Sequence, residues 1–271
     1  MTKQYALLLA LFLYSLPSIA QEDSWDVYMA QYEKGPGSTM INMALKGKAP
    51  VKEFPFLLKT GVRVIECNGD GLPSEAEFDK LYKMSEKIRT AIDAAVKNKS
   101  AGTFSYQCER VDYYYIKDTG SVRKIIESAY KSNFPGYKYS ITIREDKNWA
   151  AYLEFLYPNA ATLEYMSDQK VVLNLVKAGD DLSKPRQVDH WLYFKTEADR
   201  NKFILYSSKE NFKVESKKYA NDAALHYQLQ ISRTDKVDLG SITKITSVIR
   251  KKALELNGDY DGWETFVIKE K

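Results

Sequence analysis

The side chains that most often carry chemistry are scarce in this chain of 271 residues. There are two histidines, His190 and His226, and two cysteines, Cys67 and Cys108. Neither histidine falls in a Gly-x-Ser-x-Gly or His-Glu-x-x-His pattern, which would supply a nucleophile or a zinc site with its base. Two cysteines do not make a structural zinc site without more histidines than the chain has. We therefore predict no catalytic residue, no metal site and no cofactor.

Both histidines lie in segments that alternate as β-strands do. From Val188 to Lys195, His190 falls on the apolar side, and Trp191 and Tyr193 fall on the opposite side. From Leu225 to Ile231, apolar side chains alternate with three polar ones, which are His226, Gln228 and Gln230. The pattern predicts a core imidazole at position 190 and an outward-facing one at position 226.

These two strands belong to a set of six elements in the order βαββαβ. Thr196 and Asp238 are predicted helix caps, and each precedes a helix with apolar residues along one side. A strand over 212–217 follows the first helix, and 259–268 supplies a last strand after the second. With right-handed crossovers, this order predicts a ferredoxin-like unit, which is an antiparallel sheet with both helices on one face.

The uncovered face of that sheet is the predicted binding surface. In a ferredoxin-like sheet the first and third strands are central neighbours, so their outward side chains meet. The candidate binding residues are Trp191, Tyr193, His226, Gln228 and Gln230, with Trp263 added from the last strand. Packing of these aromatic side chains beneath an inter-domain contact is the alternative interpretation.

Several segments of this half resemble the family of regulators of ribonuclease E activity B. They are 179–186 (Gly-Asp-Asp-Leu-Ser-Lys-Pro-Arg), 188–191, 229–237 and 260–265 (Tyr-Asp-Gly-Trp-Glu-Thr). The resemblance implies a small α+β protein that inhibits an endoribonuclease by binding it, without catalysis or a cofactor. The upstream part is similar to a domain of unknown function often joined to this one, through 25–28, 134–137 and 152–158. That second similarity implies no activity.

The first 20 residues have the composition of an export signal. Lys3 is followed by an apolar run over 5–16, by Pro17, and by small residues at Ser18 and Ala20. The apolar run is about 12 residues long, whereas a helix that spans a bilayer needs about 20. We expect cleavage after Ala20 and a periplasmic or secreted protein without a stable membrane anchor. The alternatives are an uncleaved anchor and a misplaced start codon, and the second would leave the protein in the cytoplasm.

The region between the leader and the regulator-like half is typical of a second α+β domain, a mostly antiparallel sheet with two helices. We predict strands over 25–32, 38–45, 56–65, 103–116 and 137–144, and helices from Ser74 and over 121–131. The predicted domain limits are 1–20 for the signal, 21–148 for this domain, 149–178 for a helical connector and 179–271 for the last domain.

Cys67 and Cys108 both fall in the upstream domain. An exported protein meets an oxidising compartment, so a disulfide between them is one of two states that the sequence allows. It would close a loop of about 40 residues, which contributes about 4 kcal/mol in the chain-entropy model. Two buried free thiols are the alternative.

The charges of the chain are nearly balanced, with 40 basic and 36 acidic residues. Such a balance produces no field that would hold a polyanion, so nucleic acid is not the favoured partner. We predict a non-catalytic regulatory module that binds a protein, by family analogy an endoribonuclease, although an exported chain would not meet a cytoplasmic ribonuclease. The alternatives are an enzyme of unrecognised type and a single-stranded RNA binder with a basic rim around Trp191 and Tyr193. The oligomeric state does not follow from the sequence.

Overall fold

The computed structural model describes residues 23–221 and 224–269. The expected leader at 1–20 lies outside the described residues, so its cleavage stays a prediction. The chain divides into two compact units, with the division between Tyr157 and Pro158. None of the described helices is long and apolar enough to cross a membrane. Both units are antiparallel α+β folds, which confirms the predicted fold class.

Within the described residues, the first unit has six strands, two α-helices and two short helical turns. They are β1 (Trp25–Tyr32), β2 (Gly35–Asn42), a 3-10 turn (Met43–Leu45), β3 (Phe56–Arg63), α1 (Glu75–Ala95), β4 (Asn98–Tyr106), β5 (Glu109–Ile116), α2 (Val122–Asn133), β6 (Tyr139–Glu145) and a π-helical turn (Ala151–Leu156). The strands form one antiparallel sheet in the order β1-β2-β4-β5-β3-β6. The sheet has one strand more than the sequence predicted.

The additional strand arises because the segment predicted as one strand over 103–116 folds as a hairpin. Gln107 and Cys108 form its turn with φ values of 50° and 61°, a left-handed conformation that glycine or asparagine usually signals. The N–H of Cys108 donates to the carbonyl of Gly71 at 2.8 Å, and Gln107 Nε2 donates to the carbonyl of Lys34 at 2.6 Å. The prediction was wrong because distant partners, and not the turn's own residue types, stabilise this conformation.

Helices α1 and α2 cover one face of the sheet over β3, β5 and β6. Helix α1 buries four apolar side chains spaced by three and four residues, namely Leu81, Met84, Ile88 and Ile92. They pack with strand residues such as Leu58 and Tyr114. Because the helices stop short of β1, its side chains on that side stay exposed, as Trp25 (41%) and Val27 (51%) show.

The opposite face of the same sheet carries the segment that follows β6. The Trp149 ring stacks on the Tyr115 ring at 3.9 Å between centroids, and its indole N–H donates to the carbonyl of Phe54 at 3.0 Å. The N–H of Tyr152 donates to the Tyr115 hydroxyl at 3.1 Å. Residues 149–157 therefore belong to the first unit, whereas the sequence prediction assigned them to the helical connector.

The second unit contains the remaining elements. They are α3 (Ala160–Lys177), β7 (Arg186–Phe194), α4 (Glu197–Lys209), β8 (Lys213–Tyr219), β9 (Tyr227–Asp235), α5 (Leu239–Glu255) and β10 (Gly258–Glu264). The sheet order is β10-β7-β9-β8, all antiparallel, so the first and third strands of the βαββαβ set are central neighbours. This is the predicted ferredoxin-like arrangement.

The helices of this unit all pack on one face of its sheet. Thr196 Oγ1 accepts from the N–H of Asp199 at 3.1 Å and Asp238 Oδ1 accepts from the N–H of Ser241 at 3.0 Å, so both predicted caps form. The buried core contains Leu192, Phe194, Phe203, Leu229, Ile231, Ile249 and Ala253. Helix α3 joins the same side by packing on α5 and β10, so this face carries a third helix beyond the two predicted.

Candidate functional site

The side chains of β7 point alternately to the helix-covered face of the second unit and to the face without described helices. Its fully buried side chains are Val188, His190, Leu192 and Phe194. Trp191 and Tyr193 point the other way and are partly exposed. In the register of the sheet Trp191 lies opposite Gln230, and Tyr193 lies opposite Gln228. Four of the six predicted binding residues therefore share one surface, which we call the open face.

A polar network across three strands holds the amides of the open face. Gln228 Nε2 donates to the hydroxyl of Tyr193, and Gln230 Nε2 donates to Asp189 Oδ1, both at 3.2 Å. Ser216 Oγ on β8 donates to Gln230 Oε1, also at 3.2 Å. The side chains around Trp191 are thus positioned before any partner arrives, which lowers the entropy cost of binding.

Trp191 lies beside a gap in this surface. Gly262 on β10 is opposite it, with a φ of 149° that side-chain-bearing residues rarely adopt. A Cβ placed on Gly262 would meet no atom within 4 Å, so the space above it is open. The indole N–H of Trp191 has no hydrogen-bond partner in the part of the chain that the structure describes. A large amphipathic ring with a free donor is the type of residue that anchors protein interfaces.

The charges of the open face are mixed. The acidic side chains Asp259 and Glu264 lie on β10, opposite Tyr193 and Asp189. Strand β8 at the other edge carries Lys213 and Lys218, and Lys213 pairs with Glu215 of the same strand at 3.0 Å. The aromatic pair is therefore next to the acidic edge, which does not provide the basic rim that an RNA backbone requires.

Comparison with protein families divides the chain at the same place as the structure. Residues 165–265 match the family described as regulator of ribonuclease activity B, and residues 23–157 match a family of unknown function, DUF695. The chain is a DUF695 domain followed by a regulator of ribonuclease activity B domain. Both resemblances identified from the sequence are thereby confirmed.

Other comparisons add little. No curated protein matches the chain significantly. Among solved structures, the chain is similar to an unknown protein from Galdieria sulphuraria at 10% identity, covering 79% of this chain and 99% of that one, with a TM-score of 0.20.

The acidic motif of the regulator domain, Gly-Asp-Asp-Leu-Ser-Lys-Pro-Arg, holds the C-terminal segment in place. Asp180 and Arg186 form an ion pair whose side chains are both fully buried. The N–H of Ile268 donates to Asp180 Oδ2 at 2.7 Å, and Arg186 Nη1 donates to the carbonyl of Phe266 at 3.2 Å. These contacts give the motif a structural role. No group of three or more His, Cys, Asp or Glu in the described residues could hold a metal ion.

Trp263 departs from its predicted place among the binding residues. In the register it lies opposite His190, it is 7% exposed, and its indole N–H donates to Asp168 Oδ1 on α3 at 3.0 Å. A bulge between Tyr260 and Gly262 shifts the alternation by one residue, which moves Trp263 to the helix-covered face. Burial raises the pKa of its partner Asp168, although two donated hydrogen bonds oppose that rise.

His226 lies at the hairpin end of the sheet, one residue before β9. Its Nδ1 is 3.0 Å from the carbonyl oxygen of Ala220, and its ring stacks on Tyr219 at 5.4 Å between centroids. It is four residues from Gln230, the partner of Trp191, so it is at the periphery of the open face. The structure gives it a role in closing the β8–β9 hairpin.

His190 is a core residue, as its strand pattern predicted. Its Nδ1 is 2.8 Å from the Tyr260 hydroxyl, and its ring meets Phe212 edge-on. Burial, followed by the nearby positive charge of Arg233, lowers its pKa to about 3. With no exposed surface, this neutral imidazole is not accessible to a substrate as a general base.

Cys67 and Cys108 are joined as a disulfide in the first unit, with their Cα atoms 5.8 Å apart. The bridge links the segment after β3 to the β4–β5 turn. The N–H of Val64 also donates to the carbonyl of Cys108 at 2.8 Å, so the two segments pair beside the bridge. The disulfide therefore reinforces a connection that backbone hydrogen bonds already make.

Proposed function

We propose that this protein is a non-catalytic regulator whose second unit binds a protein partner through the open face. The observation that carries the proposal is the match of residues 165–265 to the regulator of ribonuclease activity B family, combined with the Trp191 surface. The family suggests an endoribonuclease of the ribonuclease E type as the kind of partner, and an exported chain would bind a different protein. Binding would use Trp191 and Tyr193 as anchors, and the positioned amides would supply directional hydrogen bonds.

The charges of the open face favour a protein over RNA as its partner. Asp189, Asp259 and Glu264 lie near the aromatic pair, so phosphate groups stacked above it would be repelled. A protein surface can instead match an acidic edge on β10 and mixed charges on β8 with complementary side chains. Salt should consequently weaken the charged contacts at the edges of the open face more than the contacts of Trp191 and Tyr193 at its centre.

The location of the protein decides which partner it meets. We propose that residues 1–20 direct export, on the basis of their apolar run and small residues at the end. An exported chain would act on a partner outside the cytoplasm and would not meet a cytoplasmic ribonuclease. If export fails, the ribonuclease E type partner is the one expected.

An enzymatic role is the second candidate, and it concerns the first unit, since the regulator family is non-catalytic. In the second unit His190 is fully buried, and burial lowers its pKa to about 3, so the imidazole is neutral. An enzyme of unrecognised type would therefore need its reactive groups in the DUF695 domain. The observation that would favour it is turnover of a substrate by the purified chain.

The proposal is tested by identifying and then weakening the interaction. Cross-linked neighbours of the protein are recovered from fractionated cells, and the affinity of the purified full chain for the recovered partner and for ribonuclease E is measured. Trp191→Ala should weaken binding at least tenfold, as expected for an interface anchor. The free energy of unfolding should change by less than about 1 kcal/mol, because the ring lies outside the core.

A matched control is Leu205→Ala, since Leu205 is an apolar residue of α4 that is 69% exposed on the other side of the sheet. This change should leave partner affinity intact. Equal loss of affinity from both substitutions, or unfolding of the domain by Trp191→Ala, would show that the open face is not the binding surface.

A further inference from the structure

A cavity of about 460 Å³ lies in the first unit, between α1 and the strands that this helix leaves uncovered. Four α1 residues line it at the spacing of one helix side, namely Tyr82, Ser85, Glu86 and Arg89. The rest of the lining comes from the segment at the start of β1 and from β1, β2, β4 and β5. Its size is within the range of about 300–1,000 Å³ that small-molecule sites occupy.

The floor of the cavity is a buried carboxylate. Asp112 on β5 accepts from Thr103 Oγ1 at 2.6 Å and from Ser85 Oγ at 2.8 Å. Met40, Thr103 and Asp112 are direct neighbours across three strands, so they form one row on the helix side of the sheet. A carboxylate has about four acceptor sites and the two hydroxyls use two of them. Asp112 can therefore accept further donors from a ligand.

The strongest sign of a missing partner is Arg110. Its Nε and Nη2 atoms are buried and have no hydrogen-bond partner among the described residues. These two nitrogens form one edge of the guanidinium, whose parallel N–H bonds match the two oxygens of a carboxylate. Leaving such donors buried and unpaired is unfavourable, so a ligand that accepts from them would be stabilised. The centroid of the Tyr82 ring lies 5.1 Å from Arg110 Cζ, so this ring covers the guanidinium.

Arg110 and Asp112 are separated by a distance that suits a ligand with two charges. They are two residues apart on β5 and therefore point to the same side, with Cα atoms about 7 Å apart. No ion pair joins them in the described part of the chain. Because both side chains line the same cavity, they suit one small molecule that carries a carboxylate for Arg110 and an ammonium for Asp112.

The other side chains that line the cavity indicate the net charge and the side chain of the ligand. The lining has the acidic side chains Asp23, Glu86 and Asp112 and the basic side chains Arg89 and Arg110, three against two, which disfavours a doubly charged phosphate. The apolar walls are Trp25, Met40, Tyr82 and Tyr114, which suit an apolar side chain.

We propose that this cavity is a binding site for a small zwitterion with the charged groups of an α-amino acid and an apolar side chain. Arg110 binds the carboxylate, Asp112 binds the ammonium, and Trp25 and Tyr82 contact the side chain. Tyr82 is 56% exposed, so its ring can rotate away from Arg110 to admit the ligand. The site belongs to the first unit and does not depend on the regulatory role of the second.

The test is calorimetric titration of the purified full chain with L-leucine and L-phenylalanine. Three further probes separate the charges: 4-methylpentanoate lacks the ammonium of leucine, 3-methylbutylamine lacks its carboxylate, and inorganic phosphate is an anion alone. We expect saturable binding of at least one amino acid and at least tenfold weaker binding of all three probes. Failure of both amino acids to bind, or binding of any of the three probes as tight as that of leucine, overturns the proposal.

Variants assign the roles of the two charged residues. Arg110→Lys keeps the charge but loses the paired N–H edge, so affinity should fall at least tenfold. Arg144→Lys on β6, an exposed arginine, is the matched control and should bind as the wild type does. Asp112→Asn should reduce the preference for leucine over 4-methylpentanoate. Unchanged affinity in Arg110→Lys refutes the assignment of Arg110 as the carboxylate-binding residue. If a variant does not fold, titration of the wild type with the five ligands tests the proposed site.

Discussion

Acid should destabilise the second unit through His190. The pKa of this imidazole is about 3 in the folded protein, against an ordinary value of 6.5. Because the folded-state pKa is the lower one, the unfolded chain binds the proton more readily, so stability is complete above pH 6.5 and is lost as the pH falls toward 3. At pH 5 the loss is about 2 kcal/mol relative to pH 8. The figure is insensitive to the folded-state pKa, since an imidazole with any pKa below about 4 is neutral at pH 5.

The assay compares the wild type with His190→Phe, which removes the titrating group and keeps a ring in the core. Denaturant unfolding of each protein at pH 8 and pH 5 gives the change in its free energy of unfolding between the two pH values. Subtracting the change in His190→Phe from that in the wild type cancels the contribution of all other titrating groups. His190→Phe lowers stability at both pH values because the Tyr260 hydroxyl loses its partner. Equal pH-dependent losses in the two proteins, or an NMR signal of His190 that titrates near pH 6.5, would refute the reasoning.

Three other outcomes are expected. Asp180→Asn should cost about 3–5 kcal/mol in denaturant unfolding because it leaves the Arg186 charge buried and unpaired, and a loss below about 1 kcal/mol would argue against the structural role of this pair. Cys67→Ser with Cys108→Ser should lower the stability of the first unit by about 4 kcal/mol, and so should a reductant acting on the wild type, so agreement between the two measurements is the check. N-terminal sequencing of protein from the culture medium or periplasm should begin at Gln21, and an intact Met1 there would contradict cleavage.

The open face was predictable because it depends on local periodicity. In a strand the side-chain period is two, so Trp191 and Tyr193 had to share one side once β7 was recognised. The βαββαβ order then made β7 and β9 neighbours, which brought Gln228 and Gln230 to the same surface. Trp263 shows the limit of this reasoning, because one bulged residue in β10 reverses the face of everything after it.

The cavity in the first unit was not predictable from the same patterns. Arg110 and Asp112 were hidden in a segment predicted as one continuous strand, since nothing in Gln107 or Cys108 signals a turn. Ser85 comes from a helix and Thr103 from another strand, and neither has a spacing that marks it as a partner of Asp112. Only the packing of α1 beside β4 and β5 brings these groups together.

The amino-acid sequence by itself determined the ferredoxin-like order, the two helix caps of the second unit and the side of β7 that faces outward, because each depends on residues close together in the chain. The tertiary structure decided the β4–β5 hairpin, the burial of Trp263 against Asp168 and the unpaired edge of Arg110. Those features depend on contacts between distant segments, and the free energy of such contacts is not encoded in any local pattern.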